Sequence, residues 1–214
     1  MRCRRRAKSA AITDMRIKSH WFKGETPKDA TQIAGAAAFI VWRVAQNALK
    51  HMRTAHFELA PGKQYFAFLA EFLVFLILGA DRIAHRQRDE AWRIEFTTAM
   101  ANRVGEILAD NETDLLGGHA AGGYKRRFIA LVNERSADYA DLGWDDAGPD
   151  YGFLRYLGHR IAEVMEEHDR TWAVSQVIEA DAPDAADTLR RGMAGLLDTT
   201  PRPRSKGAHA NRGE

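Results

Sequence analysis

The sequence predicts an all-α fold, a single-domain bundle of about five or six helices with disordered basic termini. Three observations predict it. Apolar residues recur at helical spacing through most of the chain, the stretches are separated by Pro- or Gly-bearing breaks, and no run of alternating β-branched residues occurs. Long helices joined by short breaks bury their apolar stripes against one another, which makes a bundle the expected architecture. The expected domain spans residues 21–198, with basic, core-poor segments at 1–20 and 199–214.

The first helix is expected to open in "TPKD", with Thr26 as N-cap, Pro27 at the first helical position and Asp29 as a capping-box-like acid, and to run to about His56. Pro61 and Gly62 then break the chain, and a second helix follows to about Arg88. A third carries Trp92, Phe96, Met100, Val104 and Ile107 on one side. "GGHAAGG" is the next break, and a fourth helix is expected from Tyr124 to about Leu142. "GWDDAGPDYG" reads as a loop before a fifth helix that opens at Pro149 or Tyr151 and runs to about Glu179. Asp181 is the expected cap of a short sixth.

The second helix contains the most apolar part of the chain, "YFAFLAEFLVFLILGADRIAH", with Glu71 inside its hydrophobic run. A spanning helix needs about 20 apolar residues, and a central charge costs at least ~2.5 kcal/mol on insertion scales. This run is shorter, holds Glu71, and ends at once in Asp81, Arg82 and His85. No membrane insertion is expected; the segment reads as the buried central helix of a soluble protein.

Charge narrows the partners. The whole chain is at +2, but residues 1–18 hold +6 and residues 199–214 hold +3, so removing both leaves the body at −7. Most of the folded surface would repel a phosphate backbone, and nucleic acid is expected to bind only weakly, through the tails. The single cysteine, Cys3, permits no internal disulfide and points to a cytoplasmic protein. The N-terminal segment lacks the continuous apolar stretch of a secretory signal, and Met15 is an alternative start.

Candidate functional residues are polar groups on apolar stripes. Asn47 and His51 continue the Ile33, Ala37, Ile40, Val44 line; Glu71 and His85 share a line with Leu78, with Asp81 one turn before His85; His168 extends Leu154, Ile161, Met165 toward Trp172. A buried carboxylate needs a partner, and for Glu71 the candidates are Arg103, Asn47 and His51. The candidate ligand-binding set is therefore Glu71, Asp81, His85, His51 and Arg103. No metal and no cofactor are expected: Glu71 and His85 lie about 21 Å apart along one helix at 1.5 Å per residue. The chain also lacks Glu-x-x-His pairs, His-Glu-x-x-His and paired cysteines. His159, Glu163 and Glu166 line up opposite the apolar side of their helix and read as a solvated face. No phosphate-loop or nucleophile-elbow context is present. The leading expectation is a helical-bundle binding or interaction protein without a catalytic site, with a protein partner or a second copy of itself. The competing one is an enzyme or metal-dependent protein with a carboxylate and histidine site around Glu71, Asp81 and His85.

Overall fold

Asp29 begins the first helix rather than Thr26. In the computed structural model its backbone is extended, its carboxylate accepts from the Gln32 amide at 2.7 Å, and the Gln32 side chain accepts from the Asp29 amide, closing a capping box. The structure describes residues 28–57, 59–117 and 121–198, so Thr26, Pro27 and the expected basic tails at 1–20 and 199–214 lie outside the described residues. Helix α1 (Ala30–Thr54) ends where His56 takes the left-handed conformation at φ 66°. The amides of His56 and Phe57 turn back onto the carbonyls of Arg53 and Met52, the pattern of a Schellman motif.

Helix α2 (Lys63–His85) follows Pro61 and Gly62, with Gly62 at φ 115°. It packs against α1 and against four of the helices that follow it in the chain, and every residue from Phe72 to Ala80 is buried. It is the central helix that its composition predicted, and among the described residues no helix is long and apolar enough to cross a membrane. Helix α3 (Glu90–Leu116) is capped by Asp89, whose carboxylate accepts from the Trp92 amide at 2.9 Å. Phe96, Met100 and Val104 are buried as their spacing predicted, and the buried line continues through Leu108 to Glu112. Helix α4 (Ala121–Asp138) starts and ends earlier than expected.

The expected loop at 143–150 holds a small antiparallel pair, β1 (Trp144–Asp145) with β2 (Gly148–Pro149). Asp145 accepts from the amides of Ala147 and Gly148 across the turn, and Gly148 sits at φ 124°, where a side chain would be strained. The hairpin's role is to place one ring. Trp144 lies on the backbone of α2 at Gly79, where an added Cβ would stand 2.5 Å from the indole. Phe75, Trp144, Phe153 and Tyr139 stack around that point.

Asp150 caps helix α5 (Tyr151–Val164) through Phe153 and at the same time accepts from the Gly143 amide, tying the hairpin to the helix start. Here the structure corrects the sequence reading. Helix α5 stops at Met165, which is extended, instead of running to Glu179. The chain restarts as α6 (Arg170–Gln176), passes through a π-helical turn (Val177–Asp181), and continues without a break into α7 (Ala182–Leu197). Asp181 caps nothing; it is buried inside this continuous run. The break also changes the register, so His168 and Trp172 are exposed while Ile161 and Met165 remain buried. The fold is an all-α bundle with α2 at its centre.

Candidate binding cavity

The five candidate residues do not converge. Glu71, His51 and Asp81 each line a different depression of the surface. Arg103 does not meet Glu71: it is exposed and pairs with Glu106 one turn along α3. His85 does not hold Asp81, whose carboxylate instead accepts from Thr97 at 2.7 Å and from Arg93 at 3.3 Å, both on α3, while His85 faces solvent. Asn47 is exposed, and His51 is half exposed with Nδ1 3.4 Å from the buried carboxylate of Asp181. Burial raises the Asp181 pKa, against the pull of Gln176 and His51. His159 and Glu163 form the solvated face expected of them. Among the described residues no group of three or more His, Cys, Asp or Glu is placed to hold a metal ion.

Glu71 is buried, as its apolar neighbours predicted, and its partner comes from α4. Arg135, itself 5% exposed, grips the Glu71 carboxylate with Nη2 at 2.9 Å and Nε at 3.2 Å. Arg160 of α5 adds a longer contact at 3.8 Å. The Arg135 guanidinium also donates to Glu134 at 2.6 Å and lies 3.6 Å from Asp138, which accepts from the Tyr156 hydroxyl. These contacts join α2, α4 and α5 through one charged network. Its charges leave their marks: the bond to Glu71 holds the Arg135 pKa above the ordinary arginine value, and burial with the Asp138 bond pushes Tyr156 up to about 12. Tyr139 is raised too, by its burial first and by Glu71 second. A bidentate, fully paired carboxylate of this kind fixes helix register. It has little freedom left for chemistry.

A cavity of about 540 Å³ lies beside this network, between α2, α3 and α4. Residue size explains it. Gly105 on α3 lets the Phe128 ring of α4 approach to within ordinary contact of the helix backbone, where a Cβ would stand 3.2 Å from it. Helix α4 therefore packs closely on α3 and only sparsely on α2. Across the gap the facing side chains are short: Ala67 and Ala70 on α2, and Ala130 on α4. Phe66, Leu108, Leu116, Leu131 and Val164 complete apolar walls, and Lys63, Arg127 and Glu134 add charge at the lining.

One lining residue stands out chemically. Glu112 of α3 is 3% exposed; its Oε1 accepts from Arg127 Nη2 at 2.5 Å, and its Oε2 has no hydrogen-bond partner among the described residues. Burial raises its carboxyl above the ordinary 4.5, and the Arg127 charge opposes but does not cancel that rise. The sequence reading missed Glu112 because it closed the α3 stripe at Ile107; the buried line instead runs from Val104 through Leu108, and one more turn reaches Glu112.

The raised pKa sets a stability prediction. Unfolded chain releases this proton near 4.5, whereas the folded chain holds it to higher pH. The group's contribution to stability is therefore present below that value and is lost as pH rises through the raised folded pKa. Glu112→Gln, which cannot ionise, is expected to gain on the parent in urea denaturation between about pH 4 and about pH 7. A difference that does not grow across that range contradicts the raised pKa.

Comparison with protein-family models, with curated proteins and with solved structures finds no match for this chain, so the functional reading rests on the geometry alone.

Proposed function

We propose that this bundle is a binding protein that holds a small, largely apolar molecule in the cavity between α2, α3 and α4 and does no chemistry on it. The cavity itself carries the reading. At about 540 Å³ it falls inside the range of roughly 300–1,000 Å³ usual for small-molecule sites. Ten of the fifteen residues that line it are aliphatic or aromatic and five are charged, a mostly apolar wall with polar groups that can orient a ligand. It is also built on long helices tied by the Glu71 and Arg135 network, a rigid support of the kind that holds a binding geometry.

The enzyme or metal-dependent alternative has less behind it. Glu71 and Asp81 are each already paired with arginine, and they line different depressions. A protein partner or self-association would need an apolar face. Phe39, Ile94, Leu115, Tyr151 and Trp172 are exposed, spread over α1, α3, α5 and α6, and singly exposed apolar residues are normal on a surface.

Titration with Nile red, a neutral apolar dye, tests the reading. The parent is expected to bind it saturably, one dye per chain. Ala70→Trp, which fills the gap from the α2 side, is expected to weaken binding by about tenfold or more while the thermal midpoint stays near the parent's. Saturable binding that is equal in the two proteins, or no saturable binding in the parent, overturns it.

A further inference from the structure

We infer that the cavity's ligand carries an organic ammonium group on its apolar body, and that Glu112 is the acceptor for that group. The inference rests on the reading of the cavity as a ligand site and names the class of molecule it takes. Among the described residues three carboxylates line the cavity, Glu71, Glu112 and Glu134. Glu71 is held on both oxygens by the Arg135 guanidinium, and Glu134 gives that group one oxygen from a largely solvent-exposed position. Among the described residues Glu112 is the buried lining carboxylate with an oxygen, Oε2, that has no hydrogen-bond partner, in a site that is apolar on most sides. A bare carboxylate oxygen in such surroundings is costly unless something donates to it.

The cover over Glu112 is a replaceable one. Arg127 reaches it through a single nitrogen from an exposed position, with its side chain 65% accessible and its guanidinium 5.1 Å from the Tyr124 ring centroid. The pair is buried on the Glu112 side only; the Arg127 guanidinium stays in contact with water, which stabilises it if it leaves the carboxylate. A ligand ammonium entering the cavity would take Oε2, after a small turn of the Glu112 side chain, while Oε1 keeps Arg127. Alternatively it displaces Arg127, which can rest on Tyr124. The apolar body then lies along Phe66, Ala70, Leu108 and Leu131. Lys63 also lines the cavity and disfavours a second positive charge, so a single terminal amine fits better than a diamine.

The supporting chemistry is the same as for any desolvated ion pair with a hydrogen bond: an ammonium donor to a carboxylate is stronger than a neutral donor to the same oxygen. Charge alone would attract amines anywhere on the −7 body, so the discriminating feature is dependence on Glu112.

Calorimetric titration with three probes of equal chain length, octylamine, octanol and octanoate, at neutral pH tests the inference. Octylamine is expected to bind about tenfold tighter than the other two. In Glu112→Gln the amine is expected to lose its advantage and fall to the level of the alcohol. If octanol or octanoate matches octylamine in the parent, the ammonium assignment is overturned and the cavity reading stands. An amine preference that survives Glu112→Gln overturns Glu112 as its acceptor. If none of the three binds and Nile red does not bind either, the cavity reading itself fails. Where the Glu112 variant folds poorly, Ala70→Trp, which narrows the cavity from the α2 side, supplies the control: octylamine binding is expected to weaken about tenfold or more, and octylamine binding equal to the parent's overturns the assignment.

Discussion

Glu71→Ala is expected to cost about 3–5 kcal/mol in equilibrium denaturation, because it leaves Arg135 charged, buried and without its main acceptor. Glu134 and Asp138 would still touch the guanidinium, but both are largely solvent-exposed and sit on the same helix as Arg135. The bond between α2 and α4 is what disappears. Glu71→Gln keeps the shape and one acceptor oxygen, so it is expected to cost less than the alanine. A Glu71→Gln variant clearly more stable than the parent would contradict the structural role given to this carboxylate. It would move Glu71 into the binding site whose wall it shares.

Gly79→Val is expected to be destabilising by roughly 3 kcal/mol. The position is in the middle of the central helix, where glycine is ordinarily a cost of about 1 kcal/mol relative to alanine. Its presence is explained by the Trp144 indole, which would stand 2.5 Å from an added Cβ. The ring has no easy retreat, since Phe75 and Phe153 pack on it and the hairpin that carries it is tied to α5 through Asp150. Thermal and urea denaturation of the variant check this. Restored stability in a Gly79→Val, Trp144→Leu double variant is the expected signature of a steric conflict rather than of helix propensity. A Gly79→Val protein as stable as the parent contradicts the close approach.

How much of this was legible in the sequence depends on the range of the interaction. Local signals worked: Pro61 and Gly62 divided α1 from α2, and the apolar run of α2, interrupted only by Glu71, announced a buried central helix. The first cap was read one turn early, because Thr26 and Pro27 look like a helix start and so does Asp29; the Gln32 side chain, which completes the box, decides for Asp29. The break after Val164 had no such signal. "MEEHDR" contains neither Pro nor Gly, and the chain turns there because Met165 is pulled into the core while Arg170 donates back to the Ala162 carbonyl at 2.9 Å. The π turn was equally silent, since it preserves helical composition and shifts only the register.

Long-range pairing was the least legible. Burial of Glu71 followed from its own neighbours, but its partner lies 64 positions away on α4. A signal did exist. Phe128, Val132, Arg135 and Tyr139 follow helical spacing, all four are buried, and Arg135 is the only cation on that stripe. Reading α4 by its own stripe, rather than searching α3 for a base, would have found it. The cavity was not legible at all. It arises from two short alanines on α2, one on α4 and a glycine on α3 that draws α4 to one side, and small residues are scattered through every helix of this chain.

Methyl-detected NMR during titration of the parent with octylamine is the most direct test of a ligand held between α2, α3 and α4. The account predicts progressive shifts confined to the methyls that line the cavity, Ala67, Ala70, Leu108, Leu116, Leu131 and Val164, with those around His51 and Asp181, such as Val44 and Ala185, unmoved. Shifts concentrated on the Val44 and Ala185 side, or spread evenly over the acidic surface with the cavity methyls silent, would contradict it.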